Sequence, residues 1–152
     1  IAKNFGGVEH RIEFVREKDG VKFYNDSIAS SPTRARAGLY SFDQKILLIA
    51  GGYDKKIPFD DFGFDIVERV KTLYLCGDTA DKIESAVKSS QEKTGKSVPI
   101  IKCASMEEAT LSAAKDAASG DVVMLSPACA SFDAFKNFAE RGNKFKEIVK
   151  SL

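Results

Sequence analysis

The chain has 152 residues, 43% of them apolar and 30% charged, which fits one soluble globular domain with a proper core. Its formal net charge of +1 leaves no electrostatic footprint for nucleic acid or an anionic membrane. No apolar run approaches the roughly 18 to 20 residues that span a bilayer.

The first residues, Ile1-Ala2-Lys3-Asn4-Phe5-Gly6-Gly7, lack the apolar core of a secretory leader and open mid-pattern, so the chain reads as a piece of something longer. Arg11 to Glu17 alternates apolar Ile12, Phe14 and Val15 with charges. After the turn Lys18-Asp19-Gly20, Val21 to Asn25 forms a second strand, which makes a β-hairpin. Ser31 and Pro32 start a helix that runs to about Phe42. Lys45 to Ala50 is a continuous apolar strand of the kind buried on both faces of a parallel sheet.

The alternation then repeats. A helix near Asp60 to Arg69 precedes a strand from Thr72 to Cys76, and Asp78 or Thr79 caps a helix through about Lys93. Pro99 to Cys103 is the next strand. Ser105 caps a further helix with Glu108 as its capping box, and Gly120 ends it. Val122 to Leu125 is the last strand and Asn143 to Lys150 the last helix. A hairpin followed by strand–helix units predicts one α/β domain over residues 1–152, Rossmann-like, with a mostly parallel sheet flanked by helices.

Cys76, Cys103 and Cys129 are odd in number and widely spaced, with no C-x-x-C pair, so they read as buried free thiols in a reducing cytoplasm rather than metal ligands. His10 has no nucleophilic Ser or Cys motif beside it and reads as structural. Gly51-Gly52-Tyr53-Asp54-Lys55-Lys56 follows a buried strand, where glycines permit close backbone approach and a lysine can meet an anion. Either Lys55 or Lys56 could face a ligand. Gly95-Lys96-Ser97 lacks the first glycine of a nucleotide P-loop and precedes a strand, so it reads as a surface turn. Asn25-Asp26-Ser27 fits helix capping as well as ligand binding. Ser126 to Asp133 lies at the end of a parallel strand, where open α/β sheets place ligands; by spacing alone it also fits an ordinary loop.

The string Ser126-Pro127-Ala128-Cys129-Ala130-Ser131, with Phe135-Lys136-Asn137-Phe138 and Arg141-Gly142-Asn143, resembles the C-terminal domain of the Mur ligases. Asn25-Asp26-Ser27 and Gly51-Gly52 stand upstream in the matching order, and the likeness runs from about His10 to the C-terminus. Within the family it is most similar to the branch that adds D-glutamate. The resemblance implies the third domain of a cytoplasmic, monomeric three-domain ligase of peptidoglycan synthesis, with residues 1–9 as the interdomain linker. The UDP-N-acetylmuramoyl-L-alanine site and the main ATP and Mg2+ sites would lie in the other two domains. It gives this chain no catalytic residue and no metal ligand.

By the same resemblance Lys55, Ser30, Ser131, the Phe132 backbone amide and Phe138 meet D-glutamate, while Asp26 holds the ATP ribose and Arg11 reaches the phosphates. Ile28 departs from the family, which often has lysine there. Arg141 and Lys144 read as fixing the local loop or as solvated. Two other readings stay open: a sister ligase of the other Mur or folylpolyglutamate types, and a free-standing flavodoxin-like binding module.

Overall fold

The computed structural model describes residues 8–152, so most of the expected linker over 1–9 lies outside the described residues. The hairpin pairs β1 (Glu13–Lys18) with β2 (Val21–Asn25) in antiparallel register, Lys18 opposite Val21, and closes through Asp19 and Gly20, both at positive φ. The other strands are β3 (Ile46–Ala50), β4 (Val70–Leu75), β5 (Ile100–Lys102) and β6 (Val122–Leu125). They join β2 in one six-stranded sheet of order β1-β2-β6-β3-β4-β5, and every pair beyond the hairpin is parallel. The predicted architecture is the one observed.

The strands alternate their side chains between two cores. Ile46, Leu48 and Ala50 of β3 pack with α1 (Pro32–Leu39), α2 (Asp60–Arg69) and α3 (Ala80–Thr94) on one face. Leu47 and Ile49 pack with α4 (Met106–Asp116) and α5 (Phe138–Lys150) on the other. Burial on both faces is why β3 reads as an unbroken apolar run. Cys76 and Cys129 are buried and Cys103 is partly covered; burial pushes the thiols of Cys76 and Cys129 up to about 12 and about 11, leaving both unreactive at neutral pH.

Helix ends show where local chemistry held and where it gave way. Ser31 caps α1 by accepting from the Arg34 N–H, Ser105 caps α4 by accepting from the Glu108 N–H, and Gly95 stops α3 at φ 76°. By contrast, α1 ends at Leu39 rather than Phe42, and α4 ends at Asp116, four residues before Gly120. Beyond α4 the Asp121 carboxylate accepts from the Ala118 N–H at 2.8 Å and closes a turn in which Gly120 takes φ 95°. The largest difference is α5, which starts at Phe138 instead of Asn143. Asn137 caps it by accepting from the Glu140 N–H at 2.8 Å, and Glu140 reaches back to the Lys136 N–H at 2.8 Å. Gly142 therefore lies inside the helix, and its reason is tertiary: a Cβ there would sit 2.2 Å from His10 Nδ1.

Candidate functional site

The carboxyl ends of β3 and β6 are neighbours, yet the chain leaves β3 toward α2 on one face and β6 toward α5 on the other. Such a reversal opens a crevice at the sheet edge. The two departing loops touch across it. The Gly51 N–H donates to the Pro127 carbonyl and the Tyr53 N–H to the Ala130 carbonyl, each at 2.9 Å, and Tyr53 pairs with Ala130 as an antiparallel bridge. Glycine is required here. Gly51 has φ 114° and a Cβ on it would lie 1.9 Å from the Cys76 carbonyl oxygen. Thr79 stands at the α3 N-cap position but spends its hydroxyl on the Gly52 N–H, at 3.1 Å, and on the Cys129 sulfur.

Arg141 ties the loops into one body. The guanidinium is buried; Nε donates to Ser27 Oγ at 2.9 Å, Nη1 to the Cys129 carbonyl at 2.9 Å, and Nη2 to the Ser27 carbonyl at 2.8 Å and Ser30 Oγ at 3.5 Å. Ser27 Oγ in turn donates to the Phe138 carbonyl at 2.7 Å. Burial pushes the Arg141 pKa down to about 10, so it stays charged at neutral pH while bonded only to neutral oxygens. The sequence reading of Arg141 as a loop-fixing residue holds. Lys144 is half-exposed and pairs with Glu147 at 3.1 Å.

Asp26 directly follows β2 and its N–H extends the ladder to the Leu125 carbonyl. Its side chain turns inward, 3% exposed, with Oδ1 accepting from the Ile12 N–H at 3.1 Å and Oδ2 from the Ser126 hydroxyl at 2.7 Å. Burial raises its pKa to about 6, against the opposing charges of Arg11 and Arg34, which are both exposed. A ribose at Asp26 would have to displace one of those two internal donors. Ile12, whose N–H binds the carboxylate, and His10 both take positive φ, 44° and 67°.

His10 is structural, as its sequence context suggested. Asn25 Oδ1 accepts from the Ser27 N–H, which aims its amide at His10 Nδ1, 2.8 Å away, and at Glu13 Oε1. Burial holds the imidazole below its ordinary pKa. Its ring meets Phe138 edge-on at 5.8 Å. Glu9, His10 and Glu13 lie close enough to suggest a metal group, but Lys146 Nζ sits 2.9 Å from Glu9 and 3.1 Å from Glu13 and supplies the positive charge itself.

The residues expected to meet an amino acid are therefore brought together in part. Ser30 is held through Arg141, Ser131 is buried beside the Tyr53–Ala130 bridge, and Phe138 is partly exposed above Ser27. Phe132 projects its ring into solvent against Tyr53. Lys55 is exposed and makes no ion pair among the described residues, whereas Lys56 Nζ lies 3.8 Å from Asp54, which also pairs with Lys82. Behind the crossing loops a cavity of about 360 Å³ opens between Gly52, Asp78, Met106, Asp133 and Arg141. Sequence reasoning missed Ser126 as the partner of Asp26. No local signal marks it: the pairing follows from the parallel register of Asn25 with Leu125, which puts the next residues of both strands side by side.

An open α/β domain with two loops crossing at one strand-order reversal is the class of protein this fold and site define. The chain belongs to the Mur ligase family: the family model described as "Mur ligase, glutamate ligase domain" matches residues 10–129. It is 63% identical over 154 residues to the UDP-N-acetylmuramoylalanine--D-glutamate ligase of Acetivibrio thermocellus and 57% identical over 152 residues to that of Clostridium tetani. Each alignment covers 100% of this chain and 33% of the relative, so the chain spans about a third of the curated relatives' length. Among solved structures, a murein peptide ligase from Psychrobacter arcticus aligns with TM-score 0.60 and 14% identity over 94% of this chain and 31% of that one. E. coli FolC in complex with ADP aligns with TM-score 0.61 and 15% identity over 95% of this chain and 33% of that one. These two share the fold.

Proposed function

We propose that this chain is the C-terminal, amino-acid-binding domain of the three-domain ligase that joins D-glutamate to UDP-N-acetylmuramoyl-L-alanine. The observation that carries the reading is 63% identity, over the whole chain, to a relative of that name. Solved folylpolyglutamate synthases are alike in fold at only 13% and 17% identity, which favours the D-glutamate branch.

In the proposed reaction the alanyl carboxylate takes the γ-phosphoryl group of ATP and ADP leaves. The D-glutamate amine then attacks the acyl carbon, the bond from that carbon to the phosphate oxygen breaks, and the nitrogen gives up a proton. This chain's part is to hold the amine where the carbonyl will be, which makes a two-body step effectively intramolecular. Lys55 would pair with one glutamate carboxylate, Ser30 and Ser131 would donate hydroxyl hydrogen bonds, and the Phe132 amide would add another. Phe138 would pack beside the ligand. Arg11 would reach the nucleotide phosphates and Asp26 the ribose, so that ATP draws the domain closed. Mg2+ would supply charge stabilisation at the phosphates. Glu9 and Glu13 do not fit it, because Lys146 already neutralises them. The ion would belong with the main ATP site in the rest of the ligase. The reading makes the full enzyme monomeric and cytoplasmic, with no nucleic-acid or membrane partner.

The test is phosphate release by the full-length ligase with ATP, Mg2+ and UDP-N-acetylmuramoyl-L-alanine, comparing D-glutamate with L-glutamate, L-lysine and diaminopimelate. Strong preference for D-glutamate is expected. Preference for any other amino acid, or turnover on a folate substrate instead, overturns the reading.

A further inference from the structure

Two aromatic rings stand in solvent at the mouth of the crevice. Phe132 is 64% exposed and Tyr53 41%, and they meet edge-to-face with centroids 5.9 Å apart at 75°. Phe132 is the most exposed large apolar side chain among the described residues, and two rings in contact with each other in solvent make an apolar patch suited to being covered by a ligand. The rings sit on ordered backbone. Tyr53 donates its N–H to Ala130, Gly52 passes so close that a Cβ would lie 2.6 Å from the Ala130 carbonyl oxygen, and the Ser131 carbonyl accepts from the Ala134 and Phe135 N–H groups. Little ordering therefore remains to be done when a ligand arrives.

Lys55 lies two residues beyond Tyr53 in the chain and the buried Ser131 immediately precedes Phe132, so the same two loop segments that carry the rings carry the cation and the hydroxyl that the D-glutamate reading assigns to the ligand's carboxylates. A ligand that suits this pattern carries anionic groups at both ends of a short apolar spacer. Glutamate has two methylenes between its Cα and its side-chain carboxylate. We propose that Tyr53, held against Phe132, is a specificity-determining residue whose ring and its neighbour form the apolar wall for the methylenes of the bound amino acid. The inference rests on the D-glutamate reading, and it adds a contact to the spacer where that reading has contacts to the two ends.

The experiment is steady-state kinetics on the full-length ligase with Tyr53→Ala, Tyr53→Phe and Phe132→Ala, varying D-glutamate and ATP separately. A pocket contact worth about one methylene predicts a rise of roughly tenfold in the D-glutamate KM for each alanine variant. The KM for ATP and the thermal midpoint should be unchanged, and Tyr53→Phe, which keeps the ring, should recover most of the loss. If Tyr53→Ala does not fold, Phe132→Ala tests the same wall from its other half. An unaltered D-glutamate KM in the alanine variants overturns the proposal. So does an equal rise for both substrates with a fall in kcat, which would make the rings a closing face for the rest of the ligase. Tyr53→Phe behaving like Tyr53→Ala would assign the effect to the hydroxyl and also overturn it. A wild-type enzyme that prefers another amino acid overturns the parent reading instead, so the two failures are distinct.

Discussion

Asp26 is a carboxylate whose charge the fold disfavours. Burial lifts its pKa from 3.8 to about 6, so the folded state holds a proton that the unfolded state has already lost between about pH 4 and 6. Stability therefore falls as pH rises through that window and stays lower above it by about 3 kcal/mol. Asp26→Asn keeps the shape, lets the amide oxygen accept from Ile12, and removes the pH-dependent loss. Urea denaturation should find the variant more stable than wild type at pH 7.5 and nearly equal at pH 4. In the full-length ligase the same change should raise the KM for ATP. A variant less stable at both pH values would mean that the amide does not replace the carboxyl in its bonds to Ile12 and Ser126. Lys55 carries the second prediction at this scale. Losing a charge-assisted hydrogen bond of about 1.5–3 kcal/mol should raise the D-glutamate KM of Lys55→Ala about tenfold to a hundredfold. Lys56→Ala should do little, because that ammonium already has Asp54 beside it. The opposite ranking in enzyme assays would move the role to Lys56.

At the scale of elements, α5 binds the domain's start to its site. Its first residue, Phe138, touches His10 and accepts from Ser27, and one turn later Arg141 reaches two loops while Gly142 makes room for His10. Helix propensity alone would make Gly142→Ala stabilising by about 1 kcal/mol. The added Cβ would instead collide with His10 Nδ1, so thermal melts should show Gly142→Ala destabilised. His10→Ala in the same chain should restore much of the loss, since it empties the space the methyl needs. Destabilisation that persists unchanged in the double variant would place the problem in the α5 backbone. Arg141 shows the same economy: one buried cation satisfies oxygens from Ser27, Ser30 and Cys129 that would otherwise be left without donors.

For the whole molecule, cores on both faces of a six-stranded sheet predict that the 152-residue chain folds alone. On the proposed division of labour it should neither hydrolyse ATP nor form an amide bond. Cooperative unfolding by circular dichroism with no phosphate release is the expected pair of results; ligase turnover from this chain alone would refute the assignment of roles.

Strand order in the chain, the apolar runs of β3 and β6, the caps at Ser31 and Ser105 and the Gly51-Gly52 turn were all determined by the sequence itself. Each depends on neighbours within a few residues, where period, propensity and side-chain reach act directly. The strings that carry the family resemblance are local in the same sense. Tertiary structure decided what depends on residues far apart: the insertion of β6 between β2 and β3, the start of α5 before a glycine, and the cage of oxygens around Arg141. It also decided that Ser126 faces Asp26 and that Tyr53 meets Phe132. A hydroxyl or guanidinium carries no mark in the chain of which distant carbonyl it will satisfy. That choice is made only when two strands align in register and bury the groups together, where leaving either one unbonded would be too unfavourable to survive.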